Sequence, residues 1–126
     1  MSLLDKHKVD FRILDRSDMP IRRHAAGETI IAVGGPAKEM FLLKKGRVEV
    51  RVHDKKVDEF GPGGIFGEMA LIDQAPRSAT VVAVEDSEVI PIDERLFVIL
   101  VQDAPYFALD VMRVLVGRIR ALNQQI

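Results

Sequence analysis

Short hydrophobic runs divide the chain into three parts. Residues 3–14 carry apolar side chains at roughly helical spacing, and a polar break ending at Pro20 closes the helix that this spacing predicts. From residue 21 to residue 93, runs rich in Val, Ile and Phe are interrupted by glycine or charged turns about every eight to twelve residues. That spacing is typical of an all-β barrel or sandwich. After Asp93 the hydrophobic period becomes helical again.

The middle part contains seven predicted strands and one predicted hairpin tip. The clearest strand covers residues 47–52, where valines alternate with charged residues, so one face is expected in the core and the other in solvent. His53, Asp54 and Lys55 are expected at the tip of the hairpin that follows. The remaining predicted strands cover residues 22–25, 29–33, 40–44, 56–60, 79–84 and 88–93.

The last part predicts a short helix at residues 95–101 and a long helix at residues 105–125. Apolar side chains of the long helix, with one asparagine, recur at alternating spacings of three and four, as in a coiled coil. These residues are Leu109, Met112, Val116, Ile119, Asn123 and Ile126. A second apolar stripe comprises Ala108, Val111, Leu115 and Leu122. The helix can therefore pack on the barrel with one stripe and on a partner with the other, and we favour a homodimer.

Composition narrows the classes of protein that fit. The chain has 126 residues, 48% of them hydrophobic and 29% charged, which suits a single globular domain. The net charge of −1 provides no basic field for nucleic acid or an anionic membrane. The absence of cysteine excludes disulfides, thiolate metal sites and cysteine nucleophiles. The longest apolar run is six residues, so we expect a cytoplasmic protein without a membrane segment.

Residues 61–84 carry the candidate chemistry. Gly67 lets the backbone approach a ligand, and the helix-forming turn after Glu68 is expected to offer free amide groups to an anion. Arg77, among small residues, can form a two-bond clamp on a phosphate. Because a carboxylate beside a phosphate would repel it, Glu68 suits a hydroxyl pair such as that of a ribose. Together these groups suggest a small nucleotide, although Glu68 and Arg77 are also compatible with a salt bridge on a barrel rim.

The string FGEMALIDQAPRSATVVA resembles the phosphate-binding cassette of the cyclic nucleotide-binding domain family, which includes the catabolite activator protein and kinase regulatory subunits. The resemblance extends from about residue 21 to the last helix. It implies one mainly β domain over residues 1–126, built on a double-stranded β-roll, or jelly roll, of about eight strands at residues 21–93. The cassette occupies residues 66–80, an N-terminal helical segment residues 1–20, and C-terminal helices residues 94–126.

The resemblance also implies a role for individual residues. The Gly67 backbone and Glu68 would bind the ribose 2′-hydroxyl, Arg77 the cyclic phosphate, and the amides of Ala70 and Ser78 the phosphate oxygens. In the family the C-terminal helix covers the base, where Leu122 and Asn123 would reach. Serine directly after the arginine favours cyclic AMP over cyclic GMP. The full expected binding set is Gly67, Glu68, Met69, Ala70, Arg77, Ser78, Ala79, Leu122 and Asn123.

The expected function is a non-enzymatic cyclic nucleotide sensor that needs no cofactor and no metal and transmits occupancy through the C-terminal helix. One alternative is a degenerate domain that serves only interaction or dimerisation. A cupin-like metal enzyme is disfavoured because His7, His24 and His53 are scattered along the sequence. The chain as given is not expected to bind nucleic acid, and an effector domain would be a further partner if the chain is a fragment.

Overall fold

A computed structural model of the protein describes residue 13 and residues 15–72 and 76–123. The predicted N-terminal helix at residues 3–14 lies outside the described residues except for Ile13, which is helical and buried. The strands are β1 (Arg22–His24), β2 (Thr29–Ile31), β3 (Glu39–Lys45), β4 (Val48–Val52), β5 (Lys55–Phe60), β6 (Ile65–Phe66), β7 (Thr80–Ala83) and β8 (Ser87–Asp93). The helices are α1 (Met69–Ile72), α2 (Glu94–Asp103) and α3 (Pro105–Asn123).

The eight strands within the described residues form two four-stranded antiparallel sheets. One has the order β1-β8-β3-β6 and the other the order β2-β7-β4-β5. With the C-terminal helices, this arrangement confirms the expected mainly β jelly roll. The seven strands predicted from the sequence lie within two residues of their expected bounds. The two-residue strand β6 was not predicted, because it is too short to show an alternating pattern.

The first sheet, β1-β8-β3-β6, is buried on both faces, so the sequences of its central strands β3 and β8 are nearly continuous hydrophobic runs. Alternate residues of β3 and β8 point to opposite faces, as the pleat requires. Toward the helices lie Met40, Leu42, Ile90 and Ile92. Toward the second sheet lie Phe41, Leu43 and Val89. The register pairs Leu42 with Ile90 and Met40 with Ile92, which places these four apolar side chains together beneath the helices.

The helices α2 and α3 close the outer face of this first sheet. Asp93 caps α2 by accepting a hydrogen bond from the Leu96 backbone amide at 2.8 Å. Phe107, at the start of α3, is fully buried, and its ring centroid lies 5.7 Å from that of Phe97. Leu96 and Leu100 join the same cluster. The α2–α3 corner is therefore fixed to the sheet by apolar packing.

The β4–β5 hairpin differs in two details from the expectation. Val48 is fully buried, but Val50 and Val52 are only partly buried, so the core face of β4 fades toward the hairpin end. The tip consists of His53 and Asp54 alone, both with positive φ (53° and 62°), while Lys55 already belongs to β5. A two-residue connection with both φ values positive is a type I′ turn.

The helix α3 has one buried and one exposed apolar face. Phe107, Val111 and Val114 face the core. The first predicted stripe points away from the domain, with Leu109, Met112, Val116 and Ile119 between 45% and 57% exposed. That stripe therefore does not pack on the barrel. No described helix combines the length and the hydrophobicity needed to cross a membrane.

Candidate functional site

The candidate site lies where the turn after β6 meets the residues that precede β7. Gly67 occupies this turn with a φ of +73°, a conformation that favours glycine. A Cβ atom at this position would lie 2.7 Å from Nη1 of Arg77, so the space beside Gly67 is taken by the arginine. Because glycine has no side chain, Arg77, which lies before β7, can pack against the turn that carries Glu68, the residue directly before α1.

Arg77 is held at both its backbone and its guanidinium. The Gly34 amide donates to the Arg77 carbonyl at 2.8 Å, and the Arg77 amide donates to the Gly35 carbonyl at 3.2 Å. Nη1 donates to the Gly67 carbonyl at 2.9 Å, and Nη2 donates to the backbone carbonyl of Glu39. Because a guanidinium has five N–H donors, this arrangement fixes the group and leaves donors for an anion.

Burial and two nearby carboxylates act in opposite directions on the charge of Arg77. Burial lowers the pKa of Arg77 below its ordinary value, because desolvation disfavours the charged form. The negative charges of Glu39 and Glu68 oppose this effect and raise the same pKa. Arg77 is thus a partly desolvated cation, a state in which an arginine binds an anion more strongly than in bulk water.

Glu68 is 8% exposed and forms an ion pair with Arg118 of α3, through Oε1 and Nη1. Nη2 of Arg118 donates to the Ile65 carbonyl in β6. The guanidinium carbon lies 5.4 Å from the ring centroid of Phe60, within range of a cation–π interaction. Among the described residues, none accepts a hydrogen bond from the buried Nε of Arg118. The long helix is therefore joined to the cassette by a buried charge pair.

Arg118 was not among the predicted site residues, although the sequence contains a signal for it. The core-facing residues Phe107, Val111 and Val114 follow a spacing of four and three, and the next position in that series is 118. An arginine at a core-facing helix position needs a partner, because a buried unpaired charge is costly. Glu68, the carboxylate that the cassette motif identified, is that partner.

Three phenylalanine rings form a stack between the two arginines. The centroids of Phe41 and Phe66 lie 5.4 Å apart, and those of Phe66 and Phe60 lie 6.2 Å apart, with interplanar angles of 19° and 9°. Arg77 lies 5.8 Å from the Phe41 centroid at one end, and Arg118 lies beside Phe60 at the other. These buried rings form an apolar floor that positions both guanidinium groups.

The other predicted site residues are placed as follows. Ala70 is buried and its amide donates to the Gly67 carbonyl at 3.2 Å, so the expected phosphate contact requires this bond to be shared or exchanged. Ser78 is exposed and Ala79 is partly buried beside Arg77. Asn123 is exposed in the last described turn of α3. Met69 and Leu122 lie in α1 and α3, but their side chains are outside the described part of the structure.

The arrangement offers an anchored guanidinium and a buried carboxylate for binding a small polar ligand. The amides of the turn after Glu68, which were expected to be free, already donate within the turn, from Ala70 to the Gly67 carbonyl and from Leu71 to the Glu68 carbonyl. Across residues 15–72 and 76–123, no group of three or more His, Asp or Glu side chains could hold a metal ion. A jelly roll that holds an arginine against the turn bearing a carboxylate, with a C-terminal helix paired to that carboxylate, has the features of a ligand-binding β-roll domain.

Within that class, the model of the family described as "Cyclic nucleotide-binding domain" matches residues 21–104. The chain belongs to this family, which confirms the resemblance drawn from the cassette. The family membership also supports a regulatory domain that binds a cyclic nucleotide.

Individual relatives agree with this membership. The cyclic AMP receptor protein of Thermus thermophilus is 30% identical over 110 residues, which cover 83% of this chain and 51% of the relative. The crystal structure of the Thermus thermophilus catabolite activator protein superposes with a TM-score of 0.76 at 29% identity, covering 85% of this chain and 53% of that one. A solved structure described as "A cyclic-GMP-dependent signalling pathway regulates bacterial phytopathogenesis" superposes with a TM-score of 0.73 at 28% identity, covering 90% of this chain and 92% of that one. The chain spans about half the length of the two Thermus relatives.

Proposed function

We propose that this domain is a cyclic AMP sensor that transmits its occupancy through α3. The observation that carries the proposal is the ion pair between Arg118 and Glu68. It connects the long C-terminal helix to the carboxylate that would bind the ribose, so a ligand at Glu68 changes the surroundings of Arg118 directly. Coupling then requires that the positions of α3 differ in their affinity for the nucleotide.

In this proposal Glu68 accepts a hydrogen bond from the ribose 2′-hydroxyl, and Arg77 binds the cyclic phosphate with its free N–H groups. The amides of Ala70 and Ser78 bind the phosphate oxygens, and the Ser78 hydroxyl adds one more donor. The hydrogen bond from Arg77 to the Gly67 carbonyl supports the assignment, since it holds the phosphate partner against the turn whose next residue is Glu68, the ribose partner. The domain acts by binding rather than by catalysis, without a cofactor, and we place it in the cytoplasm.

The preference for adenine rests on two observations. Ser78 follows Arg77 where cyclic-GMP-selective members of the family often have threonine. The relative from Thermus thermophilus is named for cyclic AMP, whereas one similar solved structure comes from a cyclic-GMP-dependent pathway. Cyclic GMP is therefore the competing ligand and must be measured beside cyclic AMP.

Isothermal titration of nucleotide-free protein with both cyclic nucleotides tests the ligand. Charge-assisted hydrogen bonds predict that Arg77→Gln and Glu68→Gln each weaken binding about 10- to 100-fold. Arg120→Gln, an exposed arginine on α3, is the matched control and should bind like the wild type. Unchanged affinity in Arg77→Gln would refute the phosphate assignment, and unchanged affinity in Glu68→Gln the ribose assignment. Folded, empty wild type that binds neither nucleotide would favour a degenerate interaction module.

Hydrogen exchange tests the transmission step. Amides of α3 near Arg118 should change their exchange rate when nucleotide binds, because the ion pair links them to the ligand carboxylate. In Arg118→Met the same amides should respond less, while binding heat persists. Exchange in α3 that is indifferent to ligand in the wild type would refute coupling through this helix.

We also propose that α3 forms a homodimer through its exposed stripe, with Asn123 as the polar seam position. Four side chains between 45% and 57% exposed, at coiled-coil spacing, support this partner. Light scattering after size exclusion should give twice the monomer mass, and Met112→Glu with Ile119→Glu should give a monomer. Gln102→Glu, on α2, is the control. A monomeric wild type at high concentration would instead favour an attached effector domain as the partner of this face.

A further inference from the structure

Glu39, at the start of β3, contributes two groups near Arg77: a backbone carbonyl that positions the guanidinium and a carboxylate that can compete with an anionic ligand for it. Its backbone carbonyl accepts the hydrogen bond from Nη2 of Arg77. Its side-chain carboxylate offers the same two-oxygen chemistry that a phosphate offers to a guanidinium. An anion that binds Arg77 therefore lies close to the residue that carries this carboxylate.

The charge of Glu39 already acts on Arg77. It is the larger of the two carboxylate influences that raise the pKa of Arg77 against the lowering effect of burial. The side chain is 31% exposed, so it is not locked by packing alone. A free carboxylate here would both repel an incoming phosphate and offer Arg77 a ready partner.

A second arginine occupies this carboxylate. Arg22 of β1 donates from Nη1 to Oε1 at 3.2 Å and from Nη2 to Oε2 at 3.1 Å, so both oxygens of Glu39 are bound. The guanidinium carbons of Arg22 and Arg77 lie 5.9 Å and 5.8 Å from the Phe41 ring centroid. Both guanidinium groups thus lie near the Phe41 ring. That of Arg22 binds the Glu39 carboxylate, and that of Arg77 lies at the proposed phosphate position.

We infer that Arg22 is a positioning residue for the phosphate site: it holds the Glu39 carboxylate and so keeps Arg77 available to an anionic ligand. This inference rests on the proposed function, because it concerns the affinity of Arg77 for the phosphate of a cyclic nucleotide. This role differs from a direct attraction between the ligand and the positive charge of Arg22. In the inferred role, the effect of Arg22 depends on Glu39 being an acid.

The test is a double-mutant cycle measured by calorimetric titration with cyclic AMP and cyclic GMP. Arg22→Gln should weaken nucleotide binding about fivefold, as expected for a partly exposed charge pair. Glu39→Gln should stay within about twofold of the wild type, and the double variant should return close to wild-type affinity. The control is Arg23→Gln, which removes the same charge from the next residue, 77% exposed and paired with Glu88 at 3.6 Å. It should bind like the wild type.

The outcomes separate this inference from the proposed function. Wild type that binds neither nucleotide would overturn the proposed function and this inference with it. Binding wild type with an unaffected Arg22→Gln, or with equal losses in Arg22→Gln and Arg23→Gln, would overturn the inference alone. So would Glu39→Gln that strengthens binding by the same factor with and without Arg22, because independent charges give additive effects.

Discussion

Replacing Arg118 by methionine removes one partner of the buried pair between α3 and the cassette. Methionine preserves helix propensity and most of the apolar stem, so the change acts mainly on the charge. Breaking a fully buried ion pair costs about 3–5 kcal/mol, because the remaining charge stays desolvated. The side chains of Arg118 and Glu68 retain 19% and 10% exposure, so water relieves part of that cost. We expect a loss of about 2–3 kcal/mol in the free energy of unfolding.

Urea denaturation of the nucleotide-free protein, followed by far-ultraviolet circular dichroism at pH 7, measures this loss. For a domain of this size the same loss lowers the melting temperature by about 6–10 °C. Arg120→Met is the matched control, since Arg120 is exposed two residues further along the same helix. Its free energy of unfolding should stay within about 0.5 kcal/mol of the wild type.

The double variant Glu68→Gln with Arg118→Met completes the measurement. With both charges removed, no desolvated ion remains, and stability should recover to within about 1 kcal/mol of the wild type. A loss below about 1 kcal/mol in Arg118→Met, equal to that in Arg120→Met, would show that the pair is solvated and refute its buried character. A double variant less stable than Arg118→Met would refute the charge explanation and point to lost packing.

Three further predictions address the turns and the surface charges. Gly67→Ala should cost about 1–2 kcal/mol of stability, because alanine is strained at positive φ. The same variant should weaken nucleotide binding, because its Cβ displaces Arg77. Unchanged titration heat and melting temperature would contradict this prediction. Asp54→Gly should stabilise the domain by about 0.5–1 kcal/mol in urea denaturation, since glycine adopts the positive φ of the hairpin turn freely; a destabilised variant would contradict it. The Arg47 and Lys56 side chains lower the pKa of Glu59 from 4.5 to about 2. The stabilisation that Glu59 provides is therefore fully present above the pKa of the unfolded chain and is lost as the pH falls toward 2. In Glu59→Gln the free energy of unfolding should vary less between pH 5 and pH 2 than in the wild type.

Alternation and turn residues were sufficient to predict most of the β-roll. The sequence predicted seven strands because Gly, Pro and charged turns mark their ends and because the strand period of two is regular. It did not predict β6, whose two residues carry no period, nor the loss of burial along β4, which depends on the neighbouring strands. The exposed stripe of α3 was recognised as one of two apolar faces, but only the packed structure shows which of them meets the sheet.

The candidate site was partly predictable for a related reason. Glu68 and Arg77 belong to one contiguous motif, so their shared position could be inferred from the cassette. Arg118 lies far along the chain, and its meeting with Glu68 depends on the path of α3 across the first sheet. Arg22 and Glu39 are likewise brought together by strand order, since β1 and β3 both pair with β8. Such long-range pairs require the topology in addition to local patterns.

The 19-residue helix α3 places Arg118 and Ile119 next to each other in sequence but on different sides of one cylinder. Successive residues of an α-helix are turned by about 100° about its axis, so a rotation of the intact helix moves the backbone positions of both residues together. With side chains about 5 Å from the axis, a rotation of about 20° that withdraws Arg118 from Glu68 sweeps the exposed stripe sideways by nearly 2 Å. A displacement of that size is enough to misalign knobs and holes in a packed helix pair. A rotation of α3 therefore changes the contact between Arg118 and Glu68 and the position of the exposed stripe at the same time.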